Sequence, residues 1–181
     1  MDLKGHQSGA MLLEVLLALA LLMILSTHAI PQAAKFYRQA AVEYEAEQLL
    51  SSIRYCQNMS RITAESAWGY GAKDPMKRNI YLQLLANGNQ LLGGKGDIIV
   101  QHHYLPCVKV AKVYQEQGKN YYDDSIRLYF NANGRPGITG MMTLCIYYQG
   151  YPTEGKKIMI SEGGRIRMER GTGAEIGRAH V

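Results

Sequence analysis

The run GAMLLEVLLALALLMIL spans residues 9–25, and its only ionisable side chain is the carboxylate of Glu14. The apolar character continues to Ile30, the residue before Pro31, which makes the run about 20 residues long. That is the length at which an α-helix crosses a hydrocarbon core roughly 30 Å thick. Because a charge inside such a segment is costly, Glu14 is predicted to be functional and to need a partner of opposite charge.

The residues in front of the run indicate how that partner could arise. Residues 1–9 are mainly polar and end in Gly9, and a cut between Gly9 and Ala10 would place a new α-amino group four residues before Glu14. The alternatives are a signal anchor or an ordinary secretory signal peptide, which would have its small-residue cleavage site after the apolar region. Here the acidic residue lies within the apolar run, and this favours a cut in front of it.

This arrangement resembles the processing site of the type IV pilins and pseudopilins. The resemblance implies that a prepilin peptidase cuts after Gly9 and that Ala10, where Phe is commoner in the family, becomes a methylated N-terminus. It implies that Glu14 pairs with the amine of a neighbouring subunit during filament assembly, and that Pro31 kinks the helix. The expected location is the cytoplasmic (inner) membrane, as a single-pass protein with its head outside, and then a pilus or pseudopilus filament.

The helical periodicity continues beyond Pro31. Apolar residues recur at spacings of three and four, as in an amphipathic helix packed on a core: Val42, Ala46, Leu49, Ile53 and Cys56. Polar residues occupy the opposite side: Glu47, Gln48, Ser51, Arg54 and Asn58. A proline inside a helix removes one backbone donor, so a kink is expected at Pro31 rather than an end. The sequence therefore predicts one helix from about Met11 to about Ile62.

Short runs of strand-forming residues, separated by Gly-rich and Asn-rich turns, follow the helix. Asn87-Gly88 predicts a hairpin turn, residues 150–155 predict a further turn, and residues 113–124 predict a long exposed loop. The expected fold is α+β, with a long N-terminal helix packed on an antiparallel β-sheet head. Strands are expected at 79–85, 90–92, 97–112 with a break at Pro106, 125–130, 141–148, 156–161 and 165–169.

The carboxyl-terminal half resembles the GspH/FimT pseudopilins, through Phe130, Asn133-Gly134-Arg135, Ile158-Met159-Ile160-Ser161 and Gly164-Arg165-Ile166-Arg167. Together with the N-terminal motif, this resemblance implies a minor pilin or pseudopilin. The final residues, EIGRAHV, look like the translation of a sequencing adapter and are kept out of the fold prediction. The predicted organisation is a leader at 1–9, a transmembrane or filament-core helix at 10–30, an amphipathic helix at 31–62, a β-rich head at 63–174 and the adapter-like tail at 175–181.

No combination of residues in the sequence indicates catalysis. We find no nucleophile with a base, no phosphate-binding loop before a helix and no metal-ligand spacing, so we expect neither an enzyme nor a cofactor or metal site. His102 and His103 are adjacent and would face opposite sides of a strand. A Cys107–Cys145 disulfide is permitted outside the membrane, and buried thiols are the alternative.

The basic residues near the carboxyl end are a candidate binding surface. The formal net charge of the chain is +5, which mildly favours anionic partners. Arg165 and Arg167 alternate along a strand and so share one face, with Lys156 and Lys157 close in sequence. Exposed guanidiniums bind phosphate oxygens without reading bases, and some FimT-like proteins use this Gly-Arg-x-Arg element to bind double-stranded DNA. A solvated sheet edge or a contact with acidic subunits is the alternative.

Two functions therefore stay open. One is a minor pilin of a type IV or competence pilus that contacts DNA for uptake, and the other is a GspH-like structural minor pseudopilin of a type II protein secretion system. The expected partners are a prepilin peptidase, other pilin or pseudopilin subunits, membrane lipid and double-stranded DNA. Arg135 belongs to a different turn from Arg165 and is therefore the charge-matched control for a test of the basic surface.

Overall fold

The computed structural model describes residues 4–67, 80–116, 119–121, 126–137 and 142–171. It divides into two compact units, Met1–Arg38 and Gln39–Val181. In its described part, the first unit is the beginning of one long helix, and the second unit contains the rest of that helix and the β-rich head. The adapter-like tail at 175–181 lies outside the described residues.

Helix α1 runs from Lys4 to Ala67 and continues through Pro31. The predicted single helix is therefore confirmed and is longer at both ends. Its apolar side chains between Met11 and Leu25 are exposed, with 67% of Leu12 and 58% of Leu22 accessible. By length and composition this helix could cross a membrane. Because apolar surface favours leaving water by roughly 25 cal/mol per Å², this segment favours lipid or other apolar side chains as its surroundings.

The second half of α1 buries the predicted stripe. Val42, Ala46, Leu49, Ile53 and Cys56 are buried, whereas the polar residues predicted on the opposite side are exposed. The buried stripe belongs to one core cluster with side chains from the β-rich head. Amphipathic periodicity alone was therefore sufficient to predict which face of this helix packs on the sheets.

Nine strands form two antiparallel sheets in the described part of the head. Four of them form a sheet in the order β3-β2-β1-β6, and five form a sheet in the order β5-β4-β7-β8-β9. Leu82, Leu128 and Phe130 from the first sheet meet Leu144, Ile158 and Ile160 from the second in the core that also holds the stripe of α1. The strands are β1 (Tyr81–Leu85), β2 (Gly88–Leu92), β3 (Ile98–His103), β4 (Val108–Glu116), β5 (Lys119–Tyr121), β6 (Ile126–Tyr129), β7 (Met142–Tyr148), β8 (Tyr151–Ile160) and β9 (Ile166–Arg170).

Two segments that the sequence predicts as loops are strands. Residues 113–116 continue β4 because Val113 and Tyr114 pair with the first residues of β7, and 119–121 form β5. The turn predicted at 150–155 is confined to Gln149-Gly150, and β8 begins at Tyr151. Pairing of β8 with β7 shifts register next to Tyr148, so residues 152–154 form an irregular stretch within the strand. Of these ladders, the pairing of β4 with β7 joins residues about 30 positions apart, which local composition does not reveal.

The β1–β2 hairpin is confirmed, but its turn consists of Ala86 and Asn87, and Gly88 is the first residue of β2. A Cβ at Gly88 would overlap the carbonyl oxygen of His102 on β3. Glycine is therefore needed at this position for the close approach of two strands rather than for a left-handed turn.

Of the two alternatives left open for Cys107 and Cys145, the structure has free thiols rather than the disulfide. Cys145 on β7 pairs with Ala111 on β4, and Cys107 lies four residues before Ala111, which corresponds to about 13 Å of extended chain. A disulfide needs the two Cα atoms within about 7 Å. Cys56 is buried in the core, and burial raises the pKa of its thiol to about 12.

Candidate functional site

The residues predicted for processing and assembly all lie in the first unit. The backbones of Gly9 and Ala10 are helical parts of α1. The side chain of Glu14 is exposed, and among the described residues it makes no hydrogen bond or ion pair. The structure thus leaves this carboxylate available to a group from another molecule.

Two turns of the head have the same backbone hydrogen bonds. In the first, which spans residues 131–135, the amide of Asn131 donates to the carbonyl of Arg135 (2.9 Å) and the amide of Gly134 donates to that of Asn131 (2.8 Å). In the second, which spans residues 161–165, Ser161 and Gly164 donate in the same way over 3.0 and 2.8 Å. Both turns end in Gly-Arg. We call them the first and second Gly-Arg turns.

The two Gly-Arg turns pack directly on each other. Gly134 and Gly164 have φ angles of 72° and 83°, in the left-handed region that favours glycine. A Cβ at Gly164 would overlap the carbonyl oxygen of Gly134, so a side chain there would push the turns apart. Gln57 of α1 joins them, because its Nε2 donates to the carbonyl of Gly134 (2.8 Å) and to that of Gly164 (2.7 Å).

Arg135 lies in a different turn from Arg165, as the sequence predicts. The two turns touch, however, and each arginine directly follows one of the two glycines in contact, so Arg135 is not the remote control that the sequence offers. Arg61 on α1 also reaches the first turn, since its guanidinium occupies the space that a side chain at Gly134 would fill.

Arg165 and Arg167 project away from the core, as predicted. Both are exposed, whereas the residues that alternate with them, Ile166 and Met168, are partly buried and pack against the core. Within the described residues, neither arginine has an ion pair with a carboxylate. Their guanidiniums are therefore accessible to an anion.

Lys156 and Lys157 do not widen this surface as expected. The ammonium of Lys156 bonds to the carboxylate of Glu43 on α1. Lys157 lies 3.4 Å from a carboxylate oxygen of Glu169 on β9. Burial, and then the nearby charge of Arg170, lowers the pKa of Lys156. Both lysines already have an acidic partner within the fold, so they supply less charge to an external anion than the sequence indicates.

Sequence reasoning missed the contacts of two of the three buried polar residues of α1, Gln57 and Glu45. Gln57, 8% exposed, joins the two Gly-Arg turns. Glu45 is fully buried; one oxygen of its carboxylate lies 2.7 Å from His102 Nε2, and the other accepts from the Leu105 amide at 2.8 Å. The available signal was position alone: each is adjacent to a residue of the buried stripe, Ala46 or Cys56.

No protein-family model and no curated protein matches this chain. Two solved structures of the type IV minor pilin FimU from Pseudomonas aeruginosa strain PAO1 are similar to it, both at 19% sequence identity. The crystal form in space group P21 has a TM-score of 0.49 and covers 71% of this chain and 87% of FimU. The crystal form in space group P65 has a TM-score of 0.48 and covers 70% of this chain and 91% of FimU.

Proposed function

We propose that this chain is a subunit of a type IV pilus-like filament, made as a membrane precursor and assembled after removal of residues 1–9. The observation that carries the proposal is the carboxylate of Glu14. It lies in an exposed apolar helix without a partner among the described residues, four residues after the amine that cleavage would create. An N-terminal amine of a neighbouring subunit would supply the opposite charge that a carboxylate in apolar surroundings requires.

The structure of α1 also suits this role. Its first half presents apolar side chains outward, as is needed for lipid and later for a filament interior, and its second half belongs to the packed head. One helix therefore links the segment that would anchor the subunit to the domain that would lie on the filament surface. Prepilin peptidase and other subunits are the partners that this proposal requires.

The processing step is tested by co-expressing the full chain with a prepilin peptidase and measuring the mature mass. We expect a chain that begins at Ala10, with the added mass of an N-methyl group. The Gly9→Val variant should remain at precursor mass, because the cut depends on the glycine. A mature chain that starts at another residue, or unchanged processing of Gly9→Val, would contradict the proposal.

DNA contact is the second candidate function, and Arg165 and Arg167 favour it. They are exposed on either side of the partly buried Ile166 and lack an acidic partner in the described part of the chain. Guanidiniums of this kind suit phosphate oxygens and give binding without sequence preference. A subunit of a type IV or competence pilus for DNA uptake would use such a surface, whereas a structural pseudopilin of a type II secretion system would not require it.

DNA contact is tested by gel shifts of the full mature chain, in a nonionic detergent, on duplexes of unrelated sequence at several salt concentrations. A plot of the logarithm of the binding constant against the logarithm of the salt concentration should have a slope of about −0.9 for each phosphate contact. The Arg165→Gln and Arg167→Gln variants should weaken binding equally for all duplexes and flatten the slope by about one each. Lys109→Gln is the charge-matched control, since β4 begins at the opposite end of the five-stranded sheet. No shift at low salt would contradict DNA contact.

A further inference from the structure

The end of the head where the two Gly-Arg turns meet is more rigidly built than an ordinary pair of surface loops. Each turn is closed by two backbone hydrogen bonds, and Gln57 uses both protons of its amide nitrogen to hold the two turns together. The first turn is also fixed from behind: the amide of Gly137 donates to the carbonyl of Tyr129, and the hydroxyl of Tyr129 donates to the carbonyl of Gly137.

Three arginines are attached to this frame. Arg135 and Arg165 follow the touching glycines, and Arg61 reaches the first turn from α1, where the absence of a side chain at Gly134 leaves room for it. All three are exposed. No carboxylate whose side chain the structure describes forms an ion pair with any of them, although Glu162 lies exposed in the second turn and Glu65 follows Arg61 by four residues in α1. Among the described side chains, these three arginines and Glu162 give this end of the head a net positive charge.

Like charges held close together repel, and an anion with several negative groups would relieve that repulsion. Because hydrogen bonds already fix the backbones of both turns, such an anion would bind without ordering the loops, which removes one of the usual costs of association. Guanidiniums spaced along a surface suit successive phosphates better than one small ion, since each can take two oxygens of a different group.

We propose that Arg61, Arg135 and Arg165 form a composite phosphate-binding site for duplex DNA, continuous with Arg167, with Gln57 as the residue that positions the two turns. The inference rests on the proposed DNA contact and adds residues from a helix and a second turn to it. The site reads the backbone of the duplex, because guanidiniums on phosphates carry no sequence information.

The test uses gel shifts of the full mature chain in detergent on one duplex, over a series of salt concentrations. Arg61→Gln and Arg135→Gln should each weaken binding and flatten the salt slope by about one, as Arg165→Gln does. Arg135→Lys should keep the slope, because the positive charge remains. Lys109→Gln should leave both affinity and slope unchanged, and the unfolding transitions of all variants should match that of the unmutated chain.

The role of Gln57 has its own measurement. Gln57→Met keeps the size and neutral charge of the side chain but removes both hydrogen bonds, so the turns would no longer be held in one arrangement. We expect weaker DNA binding in this variant, with Arg135→Gln then causing a smaller further loss than it does in the unmutated chain. Strictly additive effects of the two changes would show that Gln57 does not position the arginines.

The outcomes separate the composite site from the function on which it rests. If Arg61→Gln and Arg135→Gln bind as the unmutated chain does while Arg165→Gln and Arg167→Gln bind more weakly, the composite site is wrong and DNA contact stands. If Lys109→Gln weakens binding as much as the others, net charge alone is responsible and the site is overturned. If the unmutated chain does not shift DNA at low salt, the composite site and DNA contact are both wrong. The filament proposal is unaffected by that result, because the mass of the processed chain tests it separately.

Discussion

Helix α1 carries two carboxylates whose surroundings are opposite. Glu45, in the second half, is fully buried and is held by His102 Nε2 at 2.7 Å and by the amide of Leu105 at 2.8 Å. Glu14, in the first half, is exposed and has no hydrogen bond or ion pair among the described residues. The apolar neighbours differ in the same way, because Leu49 is fully buried and Leu12 is exposed.

The two carboxylates therefore have different roles in the same helix. Glu45 is satisfied inside the fold, so its role is to hold β3 and the residues that follow it against α1. Glu14 has no such role among the described contacts, and its neighbours are suited to lipid or to other helices. A charge in those surroundings needs a partner, and this supports the proposal that a second subunit provides it.

The largest expected change in the free energy of unfolding comes from removing a partner of Glu45. Replacing His102 by Leu would leave the buried carboxylate with one amide donor and an unsatisfied oxygen, which we expect to lower the free energy of unfolding by about 3 kcal/mol. Urea unfolding of the full chain in detergent, followed by circular dichroism, measures the change. His103→Leu is the matched control, since His103 is exposed and contacts only Gln101 by hydrogen bond among the described residues; its effect should stay within about 0.5 kcal/mol. Equal effects of the two substitutions would remove the distinction between the carboxylates.

The regular elements of this fold were accessible from sequence because their signals are local. The stripe from Val42 to Cys56 predicted the buried face of α1, and alternating residues predicted most strands. The buried polar contacts were not accessible, because their partners lie far away: Glu45 meets His102 57 positions later, and Gln57 meets Gly164 107 positions later. The loop predicted at 113–124 was partly wrong because Val113 and Tyr114 pair with β7, about 30 positions later, and Tyr114 to Glu116 pair with β5.

The candidate DNA surface shows a similar division. Strand alternation predicted that Arg165 and Arg167 share one face; both are exposed, although β9 begins only at Ile166. Sequence proximity also suggested Lys156 and Lys157, but Glu43 and Glu169 neutralise them. Arg61 and Arg135 were missed because only the packing of two turns, over glycines that lack a side chain, brings them to this end of the head.

The smallest expected change in the free energy of unfolding comes from replacing Glu14. Replacing Glu14 by Ala should change the free energy of unfolding of the head by no more than about 0.5 kcal/mol, because the exposed carboxylate makes no described contact within the fold. The same urea titration in detergent measures it, with the unmutated chain as reference. A loss comparable to that of His102→Leu would show that Glu14 is, like Glu45, a structural residue of the folded monomer.

Incorporation of the Glu14→Ala chain into filaments tests the central claim most directly. Membrane insertion should be intact or improved, since removing a charge at mid-bilayer favours insertion by about 2.5–3.5 kcal/mol and by less near the interface. The chain should then be found in the membrane fraction but be strongly reduced in sheared filaments, compared with unmutated chain expressed at the same level. Incorporation of Glu14→Ala at the unmutated level would contradict the account, because the one carboxylate of the apolar run would then have no part in assembly.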